Sequence, residues 1–451
     1  MSGTETTLTH ARPIARLATP LALPALLAAL AAARSATADG IVPIPTYAAE
    51  RFELRPYLTG DWGGARTELA NAGVTLDLAL TQLVQGVASG GLDGTTRYGG
   101  RVEALVNLDL DRMGALPGGL VTMRVESRYG NSVNRASGAV LPVADLLYFP
   151  LTSPVDENIP ATVTELLYTQ FLSKELALFA GKFTVLGADA NEFAGGDGTS
   201  QFVGHPFTSA SVTSLFNPYS TLGAGVSVLP TPELSISSSV YASTDSSTTS
   251  GFDTLDDGLV WSTAVAWQYR LGDLPGGVRA TYQYAFDRNF VNFTGSLITP
   301  AGVSIPVTGD SWCAFANAWQ YLFTEEAPTG PLKVGDGRMD LEGVGLFLRA
   351  GFADPDTNPI RWIVSGGVAA KGLLPGRDRD TIGVGYAHSR TSELPLVTTR
   401  FIAESTSRFE AYYDLSITPA ADLTFDVQVA DPLLGGVENA LVLGMRLRLA
   451  F

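Results

Sequence analysis

Cysteine, histidine and charged residues are all scarce in this chain of 451 residues. Cys313 is its single cysteine and there are three histidines, so an intramolecular disulfide is excluded. The sequence has no His or Cys spacing typical of a metal site and no phosphate-binding Gly-Lys motif, so it predicts no cofactor. Charged residues make up 16% of the chain. After residue 38, no apolar run is long enough for a membrane-spanning helix, which needs about 20 residues.

Basic residues are the scarcer charged class. The chain has 29 Lys and Arg against 45 Asp and Glu, which gives a formal charge of −16. That balance argues against nucleic acid as a partner, because phosphate binding needs clustered Lys and Arg.

The first 38 residues have the pattern of a cleaved export signal. Arg12 and Arg16 flank the start of a largely apolar stretch at 17–33, and Ala36-Thr37-Ala38 fits the small-x-small cleavage rule. A disordered tail is the alternative interpretation. This segment holds three Arg and one Glu, so cleavage changes the formal charge from −16 to −18.

Apolar and polar residues alternate over much of the remaining chain, and the last segment shows this most clearly. One of its two rows of side chains is apolar: Leu441, Leu443, Met445, Leu447, Leu449 and Phe451. The other row contains Arg446 and Arg448. Successive side chains of a strand face opposite sides. An arginine facing lipid at mid-bilayer costs about 2–4 kcal/mol, so both arginines are predicted to face a wet lumen.

Two folds share this alternation, a soluble antiparallel sheet and a membrane-spanning barrel. The segments run about 10 residues, the length that a tilted strand needs to cross a bilayer, and short connections alternate with long ones. These features favour an all-β, transmembrane antiparallel β-barrel of about 16 strands. The predicted strands are 74–87, 100–111, 120–129, 161–171, 176–186, 219–229, 234–243, 259–270, 278–289, 311–322, 341–350, 360–369, 380–389, 407–417, 422–430 and 439–451.

The strand pattern divides the chain into three parts. These are a signal peptide at 1–38, a periplasmic N-terminal extension at 39–73 and the barrel at 74–451. Within the extension, Asp61 to Gly73 is predicted to form a short helix, because Asp61 suits the N-terminal end and Gly73 suits the position after the C-cap. A plain linker is the alternative. The connection 323–340 is long for a periplasmic turn.

Six short motifs follow one another along the chain. They are Tyr57-Leu-Thr-Gly-Asp-Trp-Gly-Gly-Ala-Arg66, Gly181-Lys-Phe183 with Asp189-Ala-Asn-Glu-Phe-Ala194, Gly351-Phe-Ala-Asp-Pro-Asp-Thr-Asn-Pro359, Lys371-Gly-Leu-Leu-Pro-Gly-Arg377, Asp380-Thr-Ile-Gly-Val-Gly-Tyr386 and Phe409-Glu-Ala-Tyr-Tyr413. Together they resemble the carbohydrate-selective porins of the OprB family. The resemblance implies a sixteen-strand outer-membrane barrel through which sugars such as glucose diffuse. Phe451 is similar to the terminal residue that such barrels present to the barrel assembly machinery. Gly195-Gly-Asp-Gly198 departs from the family pattern, which leaves the identity of the sugar open.

Charged residues on the second and third predicted strands form a candidate selectivity patch. The pore-lining candidates there are Arg101, Glu103, Arg124, Glu126 and Arg128. The predicted register sets Asp111 opposite Leu120 and so places Glu103 opposite Arg128. Opposite charges on neighbouring strands stabilise each other, and in a narrow pore they offer donors and acceptors to sugar hydroxyls. A plain wet lumen wall is the alternative. Lys182 is predicted to point inward by the same alternation.

A long loop is predicted at 187–218, after the fifth strand. The resemblance implies that a loop at this position folds into the pore and narrows it; an ordinary surface loop is the alternative. Its candidate pore-lining residues are Asp189, Asn191 and Glu192.

Small sugars are therefore the predicted transported solutes, and outer-membrane lipid is the predicted surrounding. A general, non-selective porin for small solutes and ions is the main alternative. An enzyme is disfavoured, because His388 and Ser389 are neighbours in a predicted strand and face opposite sides, so they cannot form a catalytic dyad. A soluble sugar-binding sandwich is disfavoured by the apolar row that ends on Phe451. Whether the barrel is a monomer or a trimer stays open.

Overall fold

Sixteen antiparallel strands close into one barrel, in which each strand pairs with its neighbours and the first pairs with the last. The computed structural model describes residues 40–49, 51–147, 158–185, 189–213, 217–295, 297–299, 302–304, 306–326, 332, 338–393 and 402–451. The barrel strands are β1 Val74–Ser89, β2 Thr96–Asp109, β3 Gly119–Gly130, β4 Ile159–Phe171, β5 Leu176–Thr184, β6 Ser220–Thr231, β7 Leu234–Ala242, β8 Leu259–Leu271, β9 Leu274–Phe286, β10 Ser311–Thr324, β11 Gly343–Ala353, β12 Ile360–Lys371, β13 Thr381–Thr391, β14 Ser405–Thr418, β15 Ala421–Ala430 and β16 Ala440–Ala450. The predicted export signal lies outside the described residues.

Each predicted strand corresponds to one barrel strand, so the prediction of sixteen is confirmed. Boundaries differ by a few residues where a turn is tighter than expected. Strand β9, for example, begins at Leu274 rather than at residue 278, because Leu271 already pairs with Leu274. The two residues between them include Gly272 with φ of 63°, a conformation that two-residue hairpin turns require.

The two faces of the strands differ as alternation predicts. Leu443 and Met445 on β16 are exposed on the outside of the barrel, whereas Arg446, on the inner face of the same strand, is only 1% exposed. Aromatic side chains such as Trp261 and Trp267 also lie on the outer face, as expected of the aromatic girdles that flank a lipid-facing band. Trp319 on β10 points inward, where it packs against a loop inside the barrel.

The N-terminal extension packs at the seam where the barrel closes. The helix α1, Ala65–Asn71, follows two short 3₁₀ turns at Phe52–Leu54 and Trp62–Gly64. The helix begins at Ala65, four residues after the predicted start, although the Asp61 carboxylate accepts the Thr67 N–H at 2.9 Å. Gly73 follows the C-cap with φ of 95°, as predicted. Leu58 N–H donates to the Ala450 carbonyl at 2.8 Å, which ties the extension to the last strand. The proposed division into domains stays a prediction.

Two loops fold into the lumen, and much of the buried core lies there. The first inner loop (131–147) contains helix α2, Asn134–Ser137, and a 3₁₀ turn at Asp145–Leu147. The second inner loop (189–213) contains 3₁₀ turns at Gly196–Gly198 and Ser211–Thr213 around helix α3, His205–Thr208. Outside these loops lie a 3₁₀ turn at Phe252–Thr254 and two small ribbons, Phe290–Val291 with Val307–Thr308 and Leu297–Thr299 with Gly302–Ser304. Among the described residues, no helix is long and apolar enough to span a membrane.

Candidate functional site

The hairpin that carries the candidate patch has a longer turn than the sequence suggested. Asp109, rather than Asp111, pairs with Leu120, so the predicted register is wrong by two residues. The reason lies in the turn, where the Asp111 carboxylate accepts the N–H of Gly118 at 2.9 Å. A side chain that hydrogen-bonds the turn backbone keeps its residue out of the strand ladder.

The observed register sets like charges opposite each other. Glu103 pairs with Glu126, and Arg101 pairs with Arg128, an arrangement that is unfavourable by itself. Neighbours on the diagonal compensate: Arg124 lies 2.6 Å from the Glu103 carboxylate. Arg101 lies 3.5 Å from both Glu103 and Glu126. The charged side chains therefore form a network of ion pairs that does not follow the direct cross-strand pairing.

Two further residues belong to this network, and the sequence analysis did not predict them. Glu165 on β4 lies 3.1 Å from Arg124 Nε. The Tyr219 hydroxyl donates to Glu126 at 2.6 Å and accepts from Arg101 at 3.3 Å. Glu165 was not predicted because the pairing of β4 with β3 shifts register beside it. Such a shift breaks the alternation on which the prediction depends. We call Arg101, Glu103, Arg124, Glu126 and Glu165 the constriction patch.

Members of the constriction patch differ in their access to the channel. The side chains of Arg124 and Glu103 are 25% and 23% exposed, whereas those of Arg101 and Glu126 are 8% and 6% exposed. Arg124 and Glu103 are therefore more accessible to solvent than Arg101 and Glu126. The more buried Arg101 and Glu126 pair with each other, and Arg101 also lies 3.5 Å from Glu103.

Asp197 at the tip of the second inner loop faces this patch. Its charge interacts most strongly with that of Arg101. Burial inside the barrel raises the pKa of the Asp197 carboxyl to about 6, and the attraction of Arg101 opposes this shift only in part. Its backbone lies in the left-handed region, with φ of 48°. The Gly195-Gly-Asp-Gly198 segment, in which the sequence departs from the family pattern, thus supplies a carboxyl group opposite the constriction patch.

Arg128 lies on the same wall but has another role. Its guanidinium donates to the Leu147 carbonyl at 3.0 Å, and the residue is 3% exposed. It holds the first inner loop, so the prediction that it lines the pore is wrong. Sequence alternation gives the face of Arg128 correctly, but it cannot show that a loop covers this position.

Lys182 lies on the opposite face of β5 from the one predicted. Phe179 and Phe183 line a cavity inside the lumen, and alternation sends the side chain of Lys182 to the other side. Its ammonium group donates to the carbonyls of Ser247 at 3.4 Å and Thr249 at 2.7 Å, in the loop after β7. The prediction of an inward lysine is wrong. It assumed that Phe179 and Phe183 face the lipid, whereas they face the lumen and Lys182 lies on the other side of the strand.

The second inner loop folds into the lumen as the resemblance implied, but its polar residues mainly anchor it. Asp189 accepts from Arg349 Nε at 2.7 Å. Asn191 donates to the Ala318 carbonyl at 3.1 Å. Glu192 accepts from the Tyr321 hydroxyl at 2.8 Å. None of these three is more than 7% exposed, and each positions the loop. Asp189 also lines a cavity beside Phe183, and Asn191 and Glu192 line a cavity beside Trp319.

Charged side chains on the later strands hold both inner loops by their backbones. Arg446 donates to the carbonyls of Gly198 at 2.8 Å and Gln201 at 2.7 Å. Arg408 donates to the Pro142 carbonyl at 2.7 Å. Glu410 accepts the N–H of Val203 at 2.5 Å. Sequence alternation places these residues in the lumen, but the backbone groups they bind lie more than 200 positions away in the chain.

Aromatic rings of the second inner loop pack onto glycines of the barrel wall. A Cβ atom on Gly345 would overlap the ring of Phe193, and one on Gly385 would lie 2.7 Å from the ring of Phe207. Phe202 packs against Phe207 with ring centroids 4.9 Å apart. Such burial contributes about 1.5–3 kcal/mol for each ring, so apolar packing and charge together fix the loop.

The two inner loops also contact each other. His205 Nδ1 lies 2.7 Å from Asp145 Oδ1, and both side chains are buried. Within the described ranges, no group of three His, Cys, Asp or Glu side chains converges as metal ligands do.

Comparison with known proteins agrees with this architecture. The family model for the carbohydrate-selective porins, OprB family, matches residues 93–451. A high-pH structure of Pseudomonas putida OprB is similar, with a TM-score of 0.75 at 21% identity over 89% of this chain and 100% of that chain. A low-pH structure of Pseudomonas putida OprB gives 0.53 at 19% identity over 88% and 99%. No curated protein sequence matches. The chain belongs to the OprB family of carbohydrate-selective porins and is an outer-membrane channel rather than an enzyme.

Proposed function

We propose that the constriction patch selects neutral, glucose-like monosaccharides as they diffuse through this porin. The supporting observation is the bridging position of Arg124, which lies 2.6 Å from Glu103 and 3.1 Å from Glu165 while 25% of its side chain stays exposed. A guanidinium beside two carboxylates presents planar donors next to acceptors, which suits adjacent hydroxyl groups of a sugar ring.

The mixed charge of the patch, which has two arginines and three glutamates, favours a neutral passenger over an ion. Each of its two arginines has carboxylates within 3.5 Å. A passing ion meets attraction and repulsion together, whereas a polyhydroxylated solute can donate to the carboxylates and accept from the arginines. Asp197 on the opposite side narrows the passage with one more acceptor.

Glucose titration in planar bilayers tests the proposal with paired variants. Arg124→Gln and Glu165→Gln should each weaken glucose block of the ion current by about tenfold or more, because a hydrogen bond to a charged group contributes about 1.5–3 kcal/mol. Arg390→Gln is the control, because Arg390 is half-exposed at the outer rim and lies 3.6 Å from the exposed Glu404. Liposome swelling with hexoses and disaccharides then compares the sugars. Equal proportional changes in sugar and ion flux would make the patch an ordinary wall and the protein a general porin.

We also infer that Phe451 is the signal recognised by the barrel assembly machinery. Its N–H donates to the Leu78 carbonyl at 2.8 Å, so the terminal residue continues the pairing of β16 with β1, and it ends the outward apolar row. Phe451→Ala should lower the amount of folded barrel in outer membranes while leaving refolding of the purified chain in detergent intact. Equal loss in both settings would indicate a purely structural role.

A further inference from the structure

Two cavities lie between the second inner loop and strands β5 to β10. The upper cavity has a volume of about 180 Å³, and in it the rings of Phe179 and Phe183 meet hydroxyl groups such as that of Ser239. The lower cavity has a volume of about 270 Å³, lies towards the periplasmic ends of β8 and β10 and is lined by Gln268 and Trp319. We call the two cavities together the lateral chamber.

Arg279 on β9 lines both cavities of the lateral chamber. Among the described residues, no acceptor lies within hydrogen-bonding or ion-pair distance of its guanidinium. Asp189 is the carboxylate whose charge acts on Arg279, but Asp189 accepts from both Arg349 and Asn317. The donors of Arg279 are therefore available to a ligand.

This arginine differs from those of the constriction patch. Arg101 and Arg124 each have carboxylates at 3.5 Å or less, whereas no carboxylate of the described residues lies that close to Arg279. A cation without a partner in a partly desolvated interior favours an incoming anion, and the guanidinium fork matches a carboxylate with two parallel hydrogen bonds. Arg338 adds a second guanidinium at the lower cavity.

The rest of the lateral chamber suits a sugar ring. Phe179 and Phe183 lie edge to face with ring centroids 5.8 Å apart and present apolar surface to one side of a ligand. The hydroxyl groups of Ser237, Ser239 and Thr281 can both donate and accept. Aromatic faces beside a few polar groups are the usual composition of a small-molecule site.

We propose that the lateral chamber binds a monosaccharide bearing a carboxylate, such as a uronate, with the carboxylate on Arg279 and the ring towards Phe179 and Phe183. The inference rests on the proposed function only in taking the passenger to be a sugar. It assigns neutral sugars to the constriction patch on β2 to β4 and acidic sugars to the lateral chamber along β5 to β10.

Binding to the detergent-purified, full-length porin tests this assignment. Isothermal titration calorimetry with D-glucuronate, D-glucose and acetate separates the sugar acid from a neutral sugar and from a simple anion. Arg279→Gln should weaken glucuronate binding by about tenfold or more, because a charge-assisted pair of hydrogen bonds is lost. Ser239→Phe, which fills the upper cavity from β7, should weaken it as well. Arg390→Gln is the charge-matched control.

Two results would overturn the assignment. Acetate binding as tightly as glucuronate would show an adventitious anion site, and an unchanged glucuronate affinity in Arg279→Gln would remove the proposed anchor. Failure of the constriction patch gives a different pattern, since Arg124→Gln would then leave glucose block of the current intact whatever Arg279→Gln does to glucuronate. Circular dichroism of each variant checks that the barrel has formed.

Discussion

The two sides of the second inner loop use arginine in opposite ways. Towards β11, β14 and β16, the arginines are held by groups of the protein itself: Arg349 donates to Asp189, and Arg446 donates to loop carbonyls. Towards β9, Arg279 faces a cavity, and no described residue accepts a hydrogen bond from its guanidinium. The difference teaches that the charge of a lumen arginine does not reveal its role. What decides is whether acceptors of the chain itself occupy its donors.

Arg349→Ala should have the largest effect and tests the anchored side. The change removes the cation from the buried Asp189 carboxylate and leaves the carbonyls of Ala194 and Phe207 without their donor. Breaking such a buried pair costs about 3–5 kcal/mol. We expect the second inner loop to detach from the wall, so that single-channel conductance rises and discrimination between sugars falls.

Limited proteolysis should then cut the loop in Arg349→Ala while the barrel stays intact. Arg390→Ala, which alters an exposed pair at the rim, should leave both conductance and proteolysis unchanged. Native conductance in Arg349→Ala would mean that the aromatic cluster alone holds the loop.

Gly385→Val tests the apolar part of the same anchor. Its Cβ would lie 2.7 Å from the ring of Phe207 and 3.1 Å from that of Phe202, and overpacking of this kind typically costs about 1–3 kcal/mol. Conductance should rise, but less than in Arg349→Ala, because the charged anchors remain. Gly309→Val is the control, since a Cβ there meets no atom within 4 Å. A larger rise in Gly385→Val than in Arg349→Ala would reverse the order of the two anchors.

The faces of the strands could be predicted from sequence, but the partners of the lumen residues could not. Each side chain of a membrane-spanning strand faces either the lipid or the lumen, so alternation correctly predicts that Arg446 points inward. It also led to the expectation of a wet arginine, whereas Arg446 is 1% exposed and bound to the second inner loop. That loop is distant in sequence, and a two-residue period carries no information about it.

Local exceptions explain the other errors in the candidate site. The Asp111 carboxylate binds the turn and moves the β2–β3 register by two residues. A register shift in β4 hid Glu165. Arg279 lies in a predicted strand, yet nothing in the sequence marks it as an arginine whose donors reach no acceptor among the described residues, because that property depends on which partners the folded lumen supplies.

Asp197 allows the charge of the constriction to be changed by pH. Burial raises the pKa of this carboxyl to about 6, against about 3.9 in an unfolded chain. A raised pKa means that its neutral form stabilises the fold, so this contribution is present below about pH 4 and is lost as pH rises towards 6. The stability gain of Asp197→Asn over the native chain should therefore grow across this window and stay constant above it.

The same titration should appear in the channel. Ionised Asp197 adds a negative charge opposite Arg124, so cation preference, measured by reversal potential, should increase with a midpoint near pH 6. Asp197→Asn should remove that step, while glucuronate binding in the lateral chamber should not follow it. A step that persists in Asp197→Asn would assign the titration to another group.

Lys182→Met should have the smallest effect and marks the outer limit of the lateral chamber. Lys182 is adjacent to Phe183 in sequence but lies on the other face of β5, where it donates to the carbonyls of Ser247 and Thr249. Removing hydrogen bonds from a charged donor costs about 1.5–3 kcal/mol, so thermal stability should fall modestly as the loop after β7 loosens. Glucuronate affinity and conductance should stay at native values, unlike those of Arg279→Gln. If Lys182→Met weakened glucuronate binding as strongly as Arg279→Gln, the ammonium group of Lys182 would have to lie inside the lumen. Hydrogen bonding to the chain itself would then no longer distinguish a structural cation from one that binds a ligand.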